Sequence, residues 1–179
     1  MRQTPRNRGR GIGAGLVLAL GLPALLGSEE PKRRLPLGSR VRLASPLATA
    51  LVRSSVQRAA ERLRRPRCQQ VFSDFADASG VSLQAGLDDL GQSAEAYLGL
   101  VLFRDGSETP ACLRGGLAAY TSPGSRVVWL CADTYLRTAG VDPVMGEALL
   151  IHELLHSLGL GEGPPSAEEI TARVLDRCH

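Results

Sequence analysis

The sequence predicts an α+β fold: one small domain with helices towards both ends and a short mixed sheet between them. Three observations carry this expectation. Ser45-Pro46 and Asp142-Pro143 each place an N-capping side chain ahead of a proline suited to the first helical turn, and apolar residues follow at helical spacing. Between these two helices stand short apolar runs separated by turn residues, which is the pattern of strands. A hydrophobic content of 44% over 179 residues supports one ordinary core and does not require two.

Taken in order, the chain opens with Arg2, Arg6, Arg8 and Arg10, then a mostly apolar run over residues 11–26, then Gly27-Ser28-Glu29-Glu30. This layout predicts a secretory signal peptide over residues 1–27, cleaved near Gly27 or Ser28. The apolar run is shorter than the ~18 residues of a spanning helix and is interrupted by glycines and Pro23. An uncleaved N-terminal anchor is the alternative, and insertion into a membrane is expected in that case alone. Residues 28–44 carry Pro31, Pro36 and Gly38 among charges and read as linker. Leu47, Leu51, Val56, Ala60 and Leu63 then recur at helical spacing to about Arg65, where Pro66 stops the helix. Residues 28–67 are therefore read as a basic linker and amphipathic helix, which either packs on the domain or serves as a pro-segment. The folded domain is expected over residues 68–179.

Beyond Cys68 the elements shorten. Val71-Phe72 is a small apolar pair, and a helix is expected around Leu83, Leu87 and Leu90, ending near Gly91. Residues 97–103 form an apolar run broken by Gly99 and closed by the turn Asp105-Gly106, which predicts a buried strand. Residues 117–121 and 126–131 are two further strand candidates, joined by Ser122-Pro123-Gly124-Ser125 with the composition of a hairpin loop. From Pro143 a helix carries Val144, Ala148, Ile151, Leu155 and Leu158 on one side, and Gly159 and Gly161 can end it. Ser166 and Glu169 then form a capping-box pattern ahead of Ile170, Val174 and Leu175, predicting a short C-terminal helix.

Charge is unevenly spread. Residues 28–67 hold 11 Lys or Arg against 3 Asp or Glu, a net of +8, whereas residues 68–179 hold 6 against 15, a net of −9. The basic stretch reads first as a solvated linker and helix face, and secondarily as an arm that docks on the acidic domain or on anionic lipid. An acidic domain poor in aromatics excludes a nucleic-acid partner, which would draw positive charge onto the folded part. Cys68, Cys112, Cys131 and Cys178 form no C-x-x-C pair, and an even count in an exported chain predicts two disulfides. Of the three pairings, Cys112–Cys131 would close the segment around the hairpin and Cys68–Cys178 would tie the domain's beginning to its end.

His152 and His156 stand four apart on the helix that begins at Pro143, so their imidazoles lie one turn apart on the same face and can share one tetrahedral ion. Zn2+ bound by two imidazoles and a carboxylate or third imidazole leaves a position for water and lowers its pKa to about 7. Glu153 is placed beside the ligands to take that water's proton as general base. The bland alternative, a chance H-E-x-x-H on an amphipathic helix, is disfavoured because two of the three histidines in the chain fall in the motif.

The run His152-Glu153-Leu154-Leu155-His156-Ser157-Leu158-Gly159-Leu160-Gly161-Glu162 resembles the zinc signature of the metzincin metallopeptidases, H-E-x-x-H-x-x-G-x-x-H, with Glu162 at the third-ligand position. The resemblance implies a minimal zincin-like domain, one zinc ion on His152, His156 and Glu162, and a peptide or protein substrate. It departs from the family in lacking a methionine downstream of the motif, since Met1 and Met145 both precede it. By the same analogy residues 126–131 are expected to be the edge strand that presents backbone to an extended substrate. Glu169 is the rival third ligand, placed opposite His156 if the last two helices form a hairpin, although Ser166 offers it a capping role instead. Glu168 and His179 are weaker options.

The expected function is a secreted or periplasmic zinc metallopeptidase. Two alternatives accompany it: a secreted binding or structural module in which zinc fixes the C-terminal helices, and a zinc hydrolase acting on another bond. Oligomeric state is not legible in the sequence.

Overall fold

The computed structural model describes residues 40–179. The expected signal segment and most of the linker lie outside the described residues. Thirteen elements follow in order: β1 (Val41–Arg42), α1 (Pro46–Leu63), α2 (Pro66–Gln69), α3 (Val71–Asp74), α4 (Leu83–Asp89), α5 (Ala94–Leu98), β2 (Leu102–Asp105), α6 (Pro110–Leu113), β3 (Ala119–Tyr120), β4 (Val127–Leu130), α7 (Ala132–Val141), α8 (Pro143–Ser157) and α9 (Ala167–Cys178). The strands make one mixed sheet in the order β1-β2-β4-β3. β1 and β2 pair in parallel, as do β2 and β4, whereas β3 runs antiparallel to β4. The α+β expectation and the short mixed sheet therefore hold.

The capping signals act where the sequence places them. Ser45 accepts from the Ala48 amide at 3.2 Å, Asp142 from Met145 at 3.1 Å and Ser166 from Glu169 at 3.2 Å, each relieving one amide that the first turn leaves unpaired. α8 is the axis of the molecule. It packs against α1, α7, α9 and the β3–β4 ribbon, and nearly every residue from Gly146 to Ser157 is buried. Its approach to α7 is close: a Cβ on Gly146 would lie 2.5 Å from that of Ala139, and the Tyr135 hydroxyl donates to the Gly146 carbonyl at 3.0 Å.

Several expectations require correction. α1 is core, with Val52, Val56, Ala59 and Leu63 buried against the rest, and β1 joins the sheet. α1 thus packs on the domain, the first of its two alternatives, and the described residues 40–179 fall within one unit. The basic stretch is more than a solvated face, since Arg58 and Arg62 clasp Glu147, Arg64 meets Glu95 and Arg67 meets Asp176. Residues 97–103 are no continuous strand. Ser93 caps the Ala96 amide at 3.1 Å and winds Tyr97 into α5, so the strand begins at Leu102. β4 is hydrogen-bonded on both sides, which makes β3 the edge strand next to α8.

Both expected disulfides, Cys68–Cys178 and Cys112–Cys131, are formed and no cysteine is free, which suits an oxidising compartment. Among the described residues no helix is long and apolar enough to cross a membrane.

Candidate metal centre

The C-terminal half of α8 carries His152, Glu153 and His156, each 5% exposed or less. Helical geometry brings the two imidazoles together edge-on, with ring centroids 4.7 Å apart, planes inclined by 63° and Nε2 atoms 2.8 Å apart. Gly159 ends the helix with φ 109, a conformation that side chains rarely adopt, and its amide bonds the His156 carbonyl at 2.9 Å. This turn reverses the chain and brings two groups back to the histidines. The Leu160 carbonyl reaches His156 Nδ1 at 2.8 Å, and Glu162 Oε1 reaches His156 Nε2 at 3.1 Å and His152 Nε2 at 3.6 Å.

His152, His156 and Glu162 thus form a group whose ligand atoms lie within 4.8 Å of one another and could hold a metal ion. The chemistry of the donors fits one. A carbonyl can only accept, so His156 Nδ1 carries hydrogen towards Leu160, and in the neutral ring Nε2 is left with a lone pair. Two Nε2 lone pairs cannot face each other at 2.8 Å without a proton or cation between them. Donors about 2.0–2.1 Å from a tetrahedral zinc stand about 3.3 Å apart, within the span of the three separations here. Burial, then the neighbouring His156, holds the His152 imidazole well below its usual range, which favours the neutral ring that ligates metal.

Glu153 is set apart from these ligands. Its Oε2 is buried and, among the described residues, is a side-chain oxygen with no hydrogen-bond partner. Burial, and secondarily the Glu162 carboxylate, pushes its carboxyl up to about 8. Glu153 lines a cleft of about 250 Å3 with His156 and Glu162 on one side and Leu117, Tyr120 and Pro123 among the residues of the other. The Gly124 amide bonds the His156 carbonyl at 2.9 Å, tying the β3–β4 turn to the end of α8 and fixing the cleft's width.

The remaining sequence candidates are not brought to the centre. Glu169 accepts from the Ser166 amide at 2.8 Å, completing the capping box at an exposed position. Glu168 is exposed in the first turn of α9, and His179 lies among Arg62, Glu147 and Arg65. Sequence reasoning missed Thr171, whose Oγ1 is 2.9 Å from His152 Nδ1, because a lone threonine 19 residues away carries no ligand signal. It also missed the β3 wall, since the edge of a sheet is set by pairings distant in sequence. Compared with protein-family models, curated proteins and solved structures, the chain matches none, so the reading of this centre rests on its own geometry.

Proposed function

We propose that the chain is a zinc-dependent hydrolase of peptide bonds, a minimal zincin-like peptidase in which His152, His156 and Glu162 hold the metal and Glu153 is the general base. One observation carries the reading: the ligand atoms of His152, His156 and Glu162 converge, and two of these residues line one cleft together with the buried carboxyl of Glu153. Two histidines and a glutamate are a ligand set that catalytic zinc uses, and zinc so held polarises a carbonyl and lowers the pKa of a bound water to about 7.

The chain's own groups do the rest. Glu153, buried yet lining the cleft, accepts the proton of the attacking water and returns it to the departing amine. β3 pairs with β4 on one side and offers its outer backbone edge to an extended peptide on the other. Leu117, Tyr120 and Pro123 supply apolar surface opposite the metal ligands and exclude water from the bound segment. The two disulfides support a secreted or periplasmic location.

Digestion of a peptide library by the zinc-loaded full chain, with products identified by mass spectrometry, tests the proposal. Cleavage that disappears with a chelator and returns with zinc is expected. A zinc-loaded chain that leaves every peptide intact would overturn it.

A further inference from the structure

The two histidines are held from behind by different kinds of group, and the difference has chemical content. His156 Nδ1 faces the Leu160 carbonyl, a fixed acceptor that permits one arrangement of hydrogen. His152 Nδ1 faces the Thr171 hydroxyl at 2.9 Å, a group that both donates and accepts. Two arrangements of His152 are therefore open. In one, Thr171 donates to Nδ1 and the Nε2 hydrogen points at His156 Nε2, which satisfies the 2.8 Å contact between the rings with no metal. In the other, Nδ1 donates to Thr171 and the Nε2 lone pair joins that of His156 and the Glu162 carboxylate around an ion. The hydroxyl keeps one contact through both.

Thr171 is well placed to hold that contact. It sits in the second turn of α9, beside the buried Ile170, and Val174 is buried one turn further on. The helix is anchored by the Cys68–Cys178 bridge and by Arg177, which bonds both Asp74 oxygens at 2.7 and 3.0 Å. A β-branched side chain has few rotamers in a helix, so presenting the hydroxyl costs little entropy. Groups behind a metal-bound histidine fix its ring orientation and tautomer, and losing one typically costs 10–100-fold in metal affinity.

We propose that Thr171 is a positioning residue for the metal centre, holding the His152 ring through both tautomers so that Nε2 is free to receive the ion. The proposal rests on the zinc reading above, and it makes the C-terminal helix part of the centre although that helix supplies no ligand.

The test is a zinc titration of the metal-free full chain against a competing chelator, comparing wild type with Thr171→Val and Thr171→Ser. Valine keeps the shape and removes the hydroxyl, whereas serine keeps the hydroxyl. Thr171→Val is expected to bind zinc 10–100-fold more weakly and Thr171→Ser within about twofold of wild type, with both metal-free variants unfolding at the wild-type urea midpoint. Should the valine variant also be less stable, 15N shifts of the zinc-loaded proteins decide. A His152 proton held on Nδ1 in wild type and in Thr171→Ser, with a weakened or exchanging signal in Thr171→Val, supports the role. Wild-type affinity in Thr171→Val, or an unchanged Nδ1 signal there, would overturn it and leave the metal centre standing. A wild-type chain with no zinc affinity would instead remove the reading on which it rests.

Discussion

Glu147 and Glu153 stand on the same helix, 2% and 5% exposed, and receive opposite treatment. Glu147 is enclosed by cations: Arg58 Nε reaches one oxygen at 2.5 Å and Arg62 Nε the other at 2.8 Å, pinning α1 to α8. Among the described residues Glu153 has no ion pair, and one of its oxygens has no hydrogen-bond partner. A buried carboxylate without partners is costly, and burial accordingly pushes the Glu153 carboxyl up to about 8. The contrast divides α8 into a half that holds the fold together and a half that carries the residues able to hold a metal ion. Burial alone does not distinguish the two roles; the company each carboxylate keeps does.

The largest stability effect expected from this contrast lies at Glu147. Glu147→Gln leaves two arginines facing a neutral amide and should cost about 3 kcal/mol, the lower end for breaking a buried pair, because Arg58 and Arg62 retain 37% and 21% of their side-chain exposure. Glu153→Gln should be close to neutral for the metal-free protein in acid, where that carboxyl is protonated folded or unfolded, and should gain stability as pH rises towards about 8, because wild-type folding must then protonate the carboxyl or bury its charge. Urea midpoints of the two variants check this, and equal losses at both positions would erase the distinction.

A smaller effect separates ligand from cap. Glu169→Ala should lose about 0.5–1 kcal/mol through the capping box while binding zinc as tightly as wild type, whereas Glu162→Ala should lose zinc. Metal content after dialysis reads both outcomes, and the reverse pattern would move the third ligand to α9.

The smallest effect concerns another carboxylate, Asp74, at the surface. Its hydrogen bonds from Arg177, reinforced by Arg173, hold its carboxyl below the ordinary carboxylate range. The contribution is therefore fully present above that range and is lost as pH falls through the lowered folded value. Asp74→Asn should cost under about 1 kcal/mol at pH 7 and should flatten the acid limb of stability. Urea midpoints measured from pH 3 to 7 would reveal an unaltered acid limb if the clasp contributes nothing.

What the sequence disclosed and what it hid follow from the reach of each interaction. Ser45, Asp142 and Ser166 announce their helices because a cap acts within three residues, and His152, Glu153 and His156 announce a centre because helical spacing alone aligns them. Glu162 was legible through Gly159, the residue that turns the chain back. α7 was not, because Cys131 caps it without a side-chain bond and it begins directly after β4 with no turn residues. β1 is two residues long and exists by pairing with Phe103 and Arg104, far along the chain. The same distance hid Arg58 and Arg62 as partners of Glu147, so a helix that anchors the core could be read as a separable segment.

The most direct test of the account is peptide hydrolysis by Glu153→Gln purified with its metal. Zinc bound at one ion per chain, as in wild type, is expected, with turnover reduced by about 10²–10⁴, the usual worth of a general base. Zinc-loaded Glu153→Gln that cleaves peptide at the wild-type rate would contradict it, because the unpartnered carboxylate would then have no part in the chemistry.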